Sequence, residues 1–156
     1  IAVGMTEGAT LDAVIAAGVL GATLGRKQGR EWLGPSVARR ITLAVEVARG
    51  PGDELARLRE IYDVIGTSLS VPETVGAAFG VLAMAEGDPK QTAIYAANLS
   101  GDADTVGAIA CAMAGAYRGI EAFEPAILAT LDADEVSAAY NIRALADGLH
   151  TLIQNR

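Results

Sequence analysis

The chain has 156 residues, of which 51% are hydrophobic and only 4% are aromatic, and its formal net charge at pH 7 is −7. This length is sufficient for one domain with a sizeable core, and the excess of alanine and glycine over aromatic and β-branched residues predicts an all-α fold. The negative charge argues against a nucleic-acid or anionic-membrane binder, and no apolar stretch reaches the ~20 residues of a membrane span, so we expect a cytoplasmic protein.

Five helices are predicted before residue 100, each opened by a capping side chain or by a proline in the first turn. Their expected starts are Thr10, Pro35 or Ser36, Asp53, Pro72 and Asp88. The third of these helices should bury one face, because apolar residues recur there at three- and four-residue steps. That face consists of Leu55, Leu58, Tyr62 and Ile65.

Two further helices are predicted after residue 100. The first runs from Val106 to Tyr117, with Gly119 just beyond its end. Gly107, Cys111 and Gly115 repeat every four residues along it, which predicts that another backbone packs unusually close to that side. The last helix should begin in a capping box, Asp132-Ala-Asp-Glu135, and carry an apolar stripe. The stripe consists of Val136, Tyr140, Leu145, Leu149 and Leu152.

Several residues have an ordinary structural interpretation. Cys111 is the only cysteine, so neither a disulfide framework nor a cysteine-rich zinc site can form. His150 is interpreted as a helix-face residue, and Tyr117 and Trp32 as core or rim aromatics. The basic residues cluster loosely, and we interpret them as a solvated helix face, with an anion-binding role as the alternative. These basic residues are Arg26, Lys27, Arg30, Arg39 and Arg40.

The most informative segment is an acidic turn, Asn98-Leu-Ser-Gly-Asp-Ala-Asp-Thr-Val-Gly, which leads directly into a helix. Asp102, Asp104 and Thr105 offer hard oxygen ligands suited to Mg²⁺, Mn²⁺ or Ca²⁺. The apolar residues on both sides predict that the turn lies near a buried surface, where carboxylates are costly without a cation. We therefore predict a metal site there.

The two carboxylates have three other interpretations. Paired carboxylates at a helix start can simply cap free N–H groups and complement the helix dipole. A calcium EF-hand is rejected, because Val106 and Met113 occupy positions that need oxygen ligands. A phosphatase of the haloacid dehalogenase type is the least favoured interpretation. Its Asp-x-Asp motif should follow a hydrophobic strand, whereas the segment before Asp102 is predicted to be helical.

The acidic turn and the residues around it read Leu99-Ser-Gly-Asp-Ala-Asp-Thr-Val-Gly-Ala-Ile-Ala, followed by Ala114-Gly-Ala-Tyr-Arg-Gly119. This pattern resembles the C-terminal metal motif of the ADP-ribosylglycohydrolase family. Upstream, Ser70-Val-Pro-Glu-Thr-Val-Gly-Ala-Ala-Phe79 resembles the family's approach to that motif. The resemblance implies a compact, orthogonal multi-helix bundle that holds two Mg²⁺ or Mn²⁺ ions. It also implies cleavage of the N- or O-glycosidic bond of ADP-ribosylated protein side chains or related ribosylated metabolites.

Carried onto this chain, the resemblance makes Asp102 and Asp104 the catalytic residues. Asp104 would bridge both metal ions, and Asp102 and Thr105 would complete the ligands of one. Ser70 and Glu73 lie in the segment that the family places near the substrate, so we expect these two residues to contact the substrate. The alternative is that they are ordinary helix-cap and surface residues.

One family feature is missing from the sequence. The family's remaining ligands include a Thr-Asp-Asp run from the N-terminal half, and this chain has no such run. The chain also begins without methionine, so we expect residues 1–156 to be a single all-α domain or the C-terminal fragment of one, working with an N-terminal half as its partner. The alternative is a non-catalytic module that binds ADP-ribose or a metal, or a structural half of a split enzyme.

Overall fold

A computed structural model describes residues 1–30 and 33–154; Trp32 lies outside this part of the chain. Helices are the regular secondary structure of the described residues, which include no β-strand, and this confirms the predicted all-α class. The chain divides into two compact units, Ile1–Ala122 and Phe123–Arg156. Among the described helices, none is both long and apolar enough to cross a membrane.

Four helices of the first unit begin where their capping residues predict, whereas those predicted from Pro72 and Val106 begin at Val71 and Ala103. Side-chain oxygens of Thr10, Ser36, Asp53 and Asp88 each accept a hydrogen bond from the backbone N–H three residues further on. These bonds satisfy N–H groups that have no partner within the helix. The helices are α1 (Leu11–Arg26), α2 (Val37–Ala48), α3 (Glu54–Glu60), α4 (Val71–Met84), α5 (Pro89–Asn98) and α6 (Ala103–Arg118), followed by a short 3₁₀ turn, Ile120–Ala122.

The face buried by the third helix differs from the prediction. Helix α3 continues into a π-helical turn, Ile61–Ile65, in which the Gly66 N–H donates to the Ile61 carbonyl at 3.2 Å. The wider turn brings Ile61 and Ile65 to the core together with Leu58. Leu55 and Tyr62 were expected in the core but are 66% and 46% exposed. The π turn moves Tyr62 off the face of Leu58, whereas Leu55 lies before that turn, in the first turn of α3.

Helix α4 forms the centre of the first unit and is buried on nearly all sides. Its glycines allow α2 and the π turn to approach closely: a Cβ on Gly80 would lie 3.3 Å from the Ala44 Cβ. On α6, by contrast, a Cβ on Gly107 would meet only the Ala96 Cβ, at an ordinary 3.6 Å. The prediction of an unusually close backbone was therefore wrong at Gly107, and the tight helix contact lies at α4.

The second unit contains α7 (Pro125–Ala133), α8 (Glu135–Tyr140) and α9 (Ile142–Gln154). Asp134, rather than Asp132, caps α8 by accepting from the Ser137 N–H at 2.9 Å, and this bond lowers the pKa of Asp134. Asp132 instead pairs with Arg143 at 2.8 Å. Asn141, at φ 44°, separates α8 from α9, so the single last helix that we predicted is two helices. Asparagine tolerates this left-handed conformation better than most residues do.

Gly76 of α4 provides a test of this packing. A Cβ there would lie 2.9 Å from the Ile65 Cγ2 and 3.1 Å from the Arg40 Cβ, so Gly76→Ala should lower the free energy of unfolding by ~1–3 kcal/mol. Gly21→Ala in α1 is the matched control, because no atom lies within 4 Å of its added Cβ. This control should gain up to ~1 kcal/mol from alanine's higher helix propensity. Urea denaturation measures both changes, and a Gly76→Ala protein as stable as the wild type would contradict the packing described here.

Candidate functional site

The acidic turn reverses the chain sharply just before α6. Ser100 and Gly101 adopt left-handed backbone conformations, with φ of 63° and 66°. Asp102 follows as the residue preceding the first turn of α6, and its Oδ1 accepts a hydrogen bond from the Thr105 hydroxyl at 2.9 Å. Asp104 lies within that first helical turn. All three predicted ligands therefore occupy one short stretch at the start of α6.

The acidic side chains are less buried than the sequence predicted. Asp102 is half-buried, whereas Asp104 and Thr105 are exposed. We expected Asp104 to be buried, where its charge would need a cation, but an exposed carboxylate is stabilised by water. Burial therefore gives no argument for a cation at Asp104. The case for a metal depends instead on the chemistry and proximity of the oxygen donors.

A loop between the π turn and α4 packs directly against the acidic turn. The Thr67 carbonyl accepts a hydrogen bond from the Asp102 N–H at 2.7 Å, and Thr67 itself is only 4% exposed. Gly101 fits tightly over the same residue, because a Cβ on it would lie 2.3 Å from the Thr67 Oγ1. The residue type of Thr67 does not mark it as part of the site, because Thr67 contributes a backbone carbonyl, which every residue has.

The side chains of Glu73 and Thr74 hold this loop from the first turn of α4. The Glu73 Oε2 accepts from the Ser68 N–H at 3.1 Å, and the buried Thr74 hydroxyl donates to the Ser68 carbonyl at 2.7 Å. Ser70 precedes α4, and its N–H donates to the Ser68 Oγ at 3.2 Å. The loop that ends at Ser70 thus reaches the acidic turn through Thr67, and the substrate contacts expected of Ser70 and Glu73 stay predictions.

The oxygen donors of the acidic turn would supply only part of the ligands that a hard divalent cation needs. Two carboxylates and a hydroxyl are oxygen ligands of the type that Mg²⁺ and Mn²⁺ prefer. Among residues 1–30 and 33–154, however, no group of three or more histidine, cysteine, aspartate or glutamate side chains is placed to hold a metal ion. The turn therefore offers part of a coordination shell.

An all-helical fold with an oxygen-donor turn at the start of one helix defines a candidate divalent-metal site. The model of the ADP-ribosylglycohydrolase family matches residues 2–156, so the chain belongs to this family of glycohydrolases, as its motif indicated. The chain is 38% identical over 98 residues to the uncharacterized protein YegU of Escherichia coli (strain K12). The matched segment covers 63% of this chain and 29% of that protein, so the chain spans well under half the length of this curated relative. No solved structure matches the chain.

The bond between Glu73 and Ser68 gives a prediction about the loop. Glu73→Ala removes the acceptor and should speed amide hydrogen exchange at Ser68, with a cost of ~1 kcal/mol in the free energy of unfolding. Glu73→Gln keeps a side-chain oxygen that can accept the same hydrogen bond, so exchange at Ser68 should stay close to the wild-type rate. Equal exchange rates in the two variants would show that this bond does not hold the loop.

Proposed function

We propose that this chain supplies the metal-binding turn of a metal-dependent glycohydrolase that cleaves the glycosidic bond of an ADP-ribosylated or related N-ribosylated substrate. Family membership supports the glycohydrolase class. The observation that carries the proposal for this chain is the placement of Asp102, Asp104 and Thr105 within one turn at the start of α6. The substrate class follows the family description and is part of the proposal.

The residues of the turn have separate roles in the proposed site. Asp102, Asp104 and Thr105 would hold Mg²⁺ or Mn²⁺, and the bound metal would orient ribose hydroxyls and lower the pKa of an attacking water. The Thr105 hydroxyl, by donating to the Asp102 Oδ1, fixes the direction of that carboxylate. The Thr67 carbonyl holds the backbone of Asp102 by accepting its N–H. Ser70, at the end of the adjoining loop, and Glu73, in the first turn of α4, are the proposed substrate-facing positions.

The rest of the coordination shell is proposed to come from a partner segment. The sequence contains no Thr-Asp-Asp run, and the turn alone offers two carboxylates and one hydroxyl. We propose that an N-terminal half of the enzyme supplies the remaining ligands and most of the nucleotide pocket.

A second candidate function is a non-catalytic module that binds ADP-ribose or a metal. The limited donor set of the described residues favours this alternative for the isolated chain. The two functions differ in one outcome: only the enzyme cleaves a ribosyl bond when the chain is combined with the upstream half and supplied with Mg²⁺ or Mn²⁺.

Asp104→Asn tests the metal role. The change removes a charged ligand, so Mn²⁺ affinity measured by calorimetry should fall at least about tenfold, and ribosyl-bond cleavage by the reconstituted protein should fall with it. Asp88→Asn is the matched control, since it removes the same charge at a helix cap where asparagine caps equally well. The proposal fails if the reconstituted protein cleaves no ribosyl substrate and Asp104→Asn leaves metal binding unchanged.

A further inference from the structure

The buried hydroxyl of Thr74 is directed out of its own helix. Thr74 is the fourth residue of α4 and is only 5% exposed. A threonine inside a helix can donate its hydroxyl to the carbonyl four residues earlier, which here is that of Ser70, at 3.2 Å. A shorter bond, of 2.7 Å, joins the same hydroxyl to the Ser68 carbonyl, which lies before the helix. Because a hydroxyl has a single proton, the shorter bond to the loop is the one that it favours.

The peptide group between Thr67 and Ser68 joins this loop to the acidic turn. Its carbonyl accepts from the Asp102 N–H at 2.7 Å, and its N–H donates to the Glu73 Oε2 at 3.1 Å. Because a peptide group is planar, the direction of its N–H determines the direction of its carbonyl. Thr74 restrains the next peptide group along the chain, through the Ser68 carbonyl. Both peptide groups of Ser68 are thus held from the first turn of α4.

Burial makes the hydrogen bond of Thr74 costly to lose. Without the hydroxyl, the Ser68 carbonyl would lose this donor in a partly buried position, and an unsatisfied buried acceptor costs more than the bond itself contributes. The loop would have to shift to bring that carbonyl to water, and the adjacent Thr67 carbonyl would shift with it. Glu73 is half-buried and is also a proposed substrate contact, so its variants could alter cleavage directly. Thr74 is too buried for such a contact, which makes it the clearer test of the loop.

We infer that Thr74 is a positioning residue for the acidic turn. Its hydroxyl holds the loop before α4 in the conformation in which the Thr67 carbonyl accepts from the Asp102 N–H. The role is indirect, because the hydroxyl donates to the loop and not to a proposed metal ligand. Its expected effect on metal affinity rests on the proposed function, whereas its effect on the turn does not. Residues that position metal ligands typically change metal affinity 10- to 100-fold, or about that, when they are removed.

Thr92 provides a matched control in α5. Like Thr74, it is the fourth residue of its helix and is buried, with 0% of its surface exposed. The N–H of each threonine donates to the carbonyl of the residue that precedes its helix, Ser70 or Asp88, at 2.9 Å. The Thr92 hydroxyl, however, has no hydrogen-bond partner among the residues that the structure describes. Valine at either position replaces a buried hydroxyl with a methyl group, but only at position 74 does it remove a hydrogen bond.

Amide hydrogen exchange and Mn²⁺ calorimetry on the whole chain test this inference. In Thr74→Val the Asp102 N–H should exchange at least about tenfold faster than in the wild type, and Mn²⁺ should bind at least about tenfold more weakly. Thr74→Ser keeps the hydroxyl and should restore both values close to those of the wild type, and Thr92→Val should change neither. The Gln91 N–H, which donates to the Asp88 carboxylate at 2.7 Å, is the internal reference for exchange and should stay unchanged. Circular dichroism establishes that each variant is folded.

The two measurements separate this inference from the proposed function. If the wild type binds no Mn²⁺, the proposed metal role of the chain fails, and the exchange rate of the Asp102 N–H alone decides whether Thr74 holds the turn. The inference is overturned if that N–H exchanges at the wild-type rate in Thr74→Val, or if Thr74→Val binds Mn²⁺ as tightly as a wild type that does bind it. It is also overturned if Thr74→Ser or Thr92→Val shows the same changes as Thr74→Val, since the hydrogen bond to the loop would then not be their cause.

Discussion

The candidate site depends on the hydrogen bond from the Asp102 N–H to the Thr67 carbonyl, 2.7 Å long. It joins two segments that are far apart in sequence, the loop before α4 and the acidic turn before α6. Gly101 makes the contact possible, because it adopts a φ of 66° and has no side chain to collide with Thr67. On the other side, Glu73 and Thr74 hold the loop so that the Thr67 carbonyl faces the turn. The position of the Asp102 backbone thus depends on contacts made by the loop before α4, while the Thr105 hydroxyl orients the Asp102 carboxylate.

The sequence was a good guide to helix starts, because these are decided locally. The side chains of Thr10, Ser36, Asp53 and Asp88 cap N–H groups only three residues away, and their residue types show this directly. The π turn after α3, in which Ile61 and Ile65 are both buried, was not predictable from periodicity, because a helical repeat assumes a constant number of residues per turn. The break at Asn141 was missed for a related reason: the apolar stripe continues across it, while the backbone does not.

The candidate site was predictable only where side-chain type carries its chemistry. Asp102, Asp104 and Thr105 share one turn, as their spacing requires, and the family membership of the chain agrees with the motif that they form. The role of the Thr67 carbonyl could not be read from residue type. The sequence showed the basic residues near Arg26 as a loose cluster, and only the fold reveals that Arg26, Lys27 and Arg30 line one cavity together with Val37 and Ala38 of α2.

The most direct test of this account compares two glycines near the acidic turn. An added methyl group at Gly101 would push the turn away from Thr67, whereas at Gly107 it would meet only the Ala96 Cβ at 3.6 Å. Calorimetry with Mn²⁺ on the folded variants should therefore show at least about a tenfold loss of affinity for Gly101→Ala, comparable to the loss of a residue that positions metal ligands. Gly107→Ala should keep the wild-type affinity. A folded Gly101→Ala protein that binds Mn²⁺ as tightly as the wild type would contradict the claim that the loop before α4 positions the metal-binding turn.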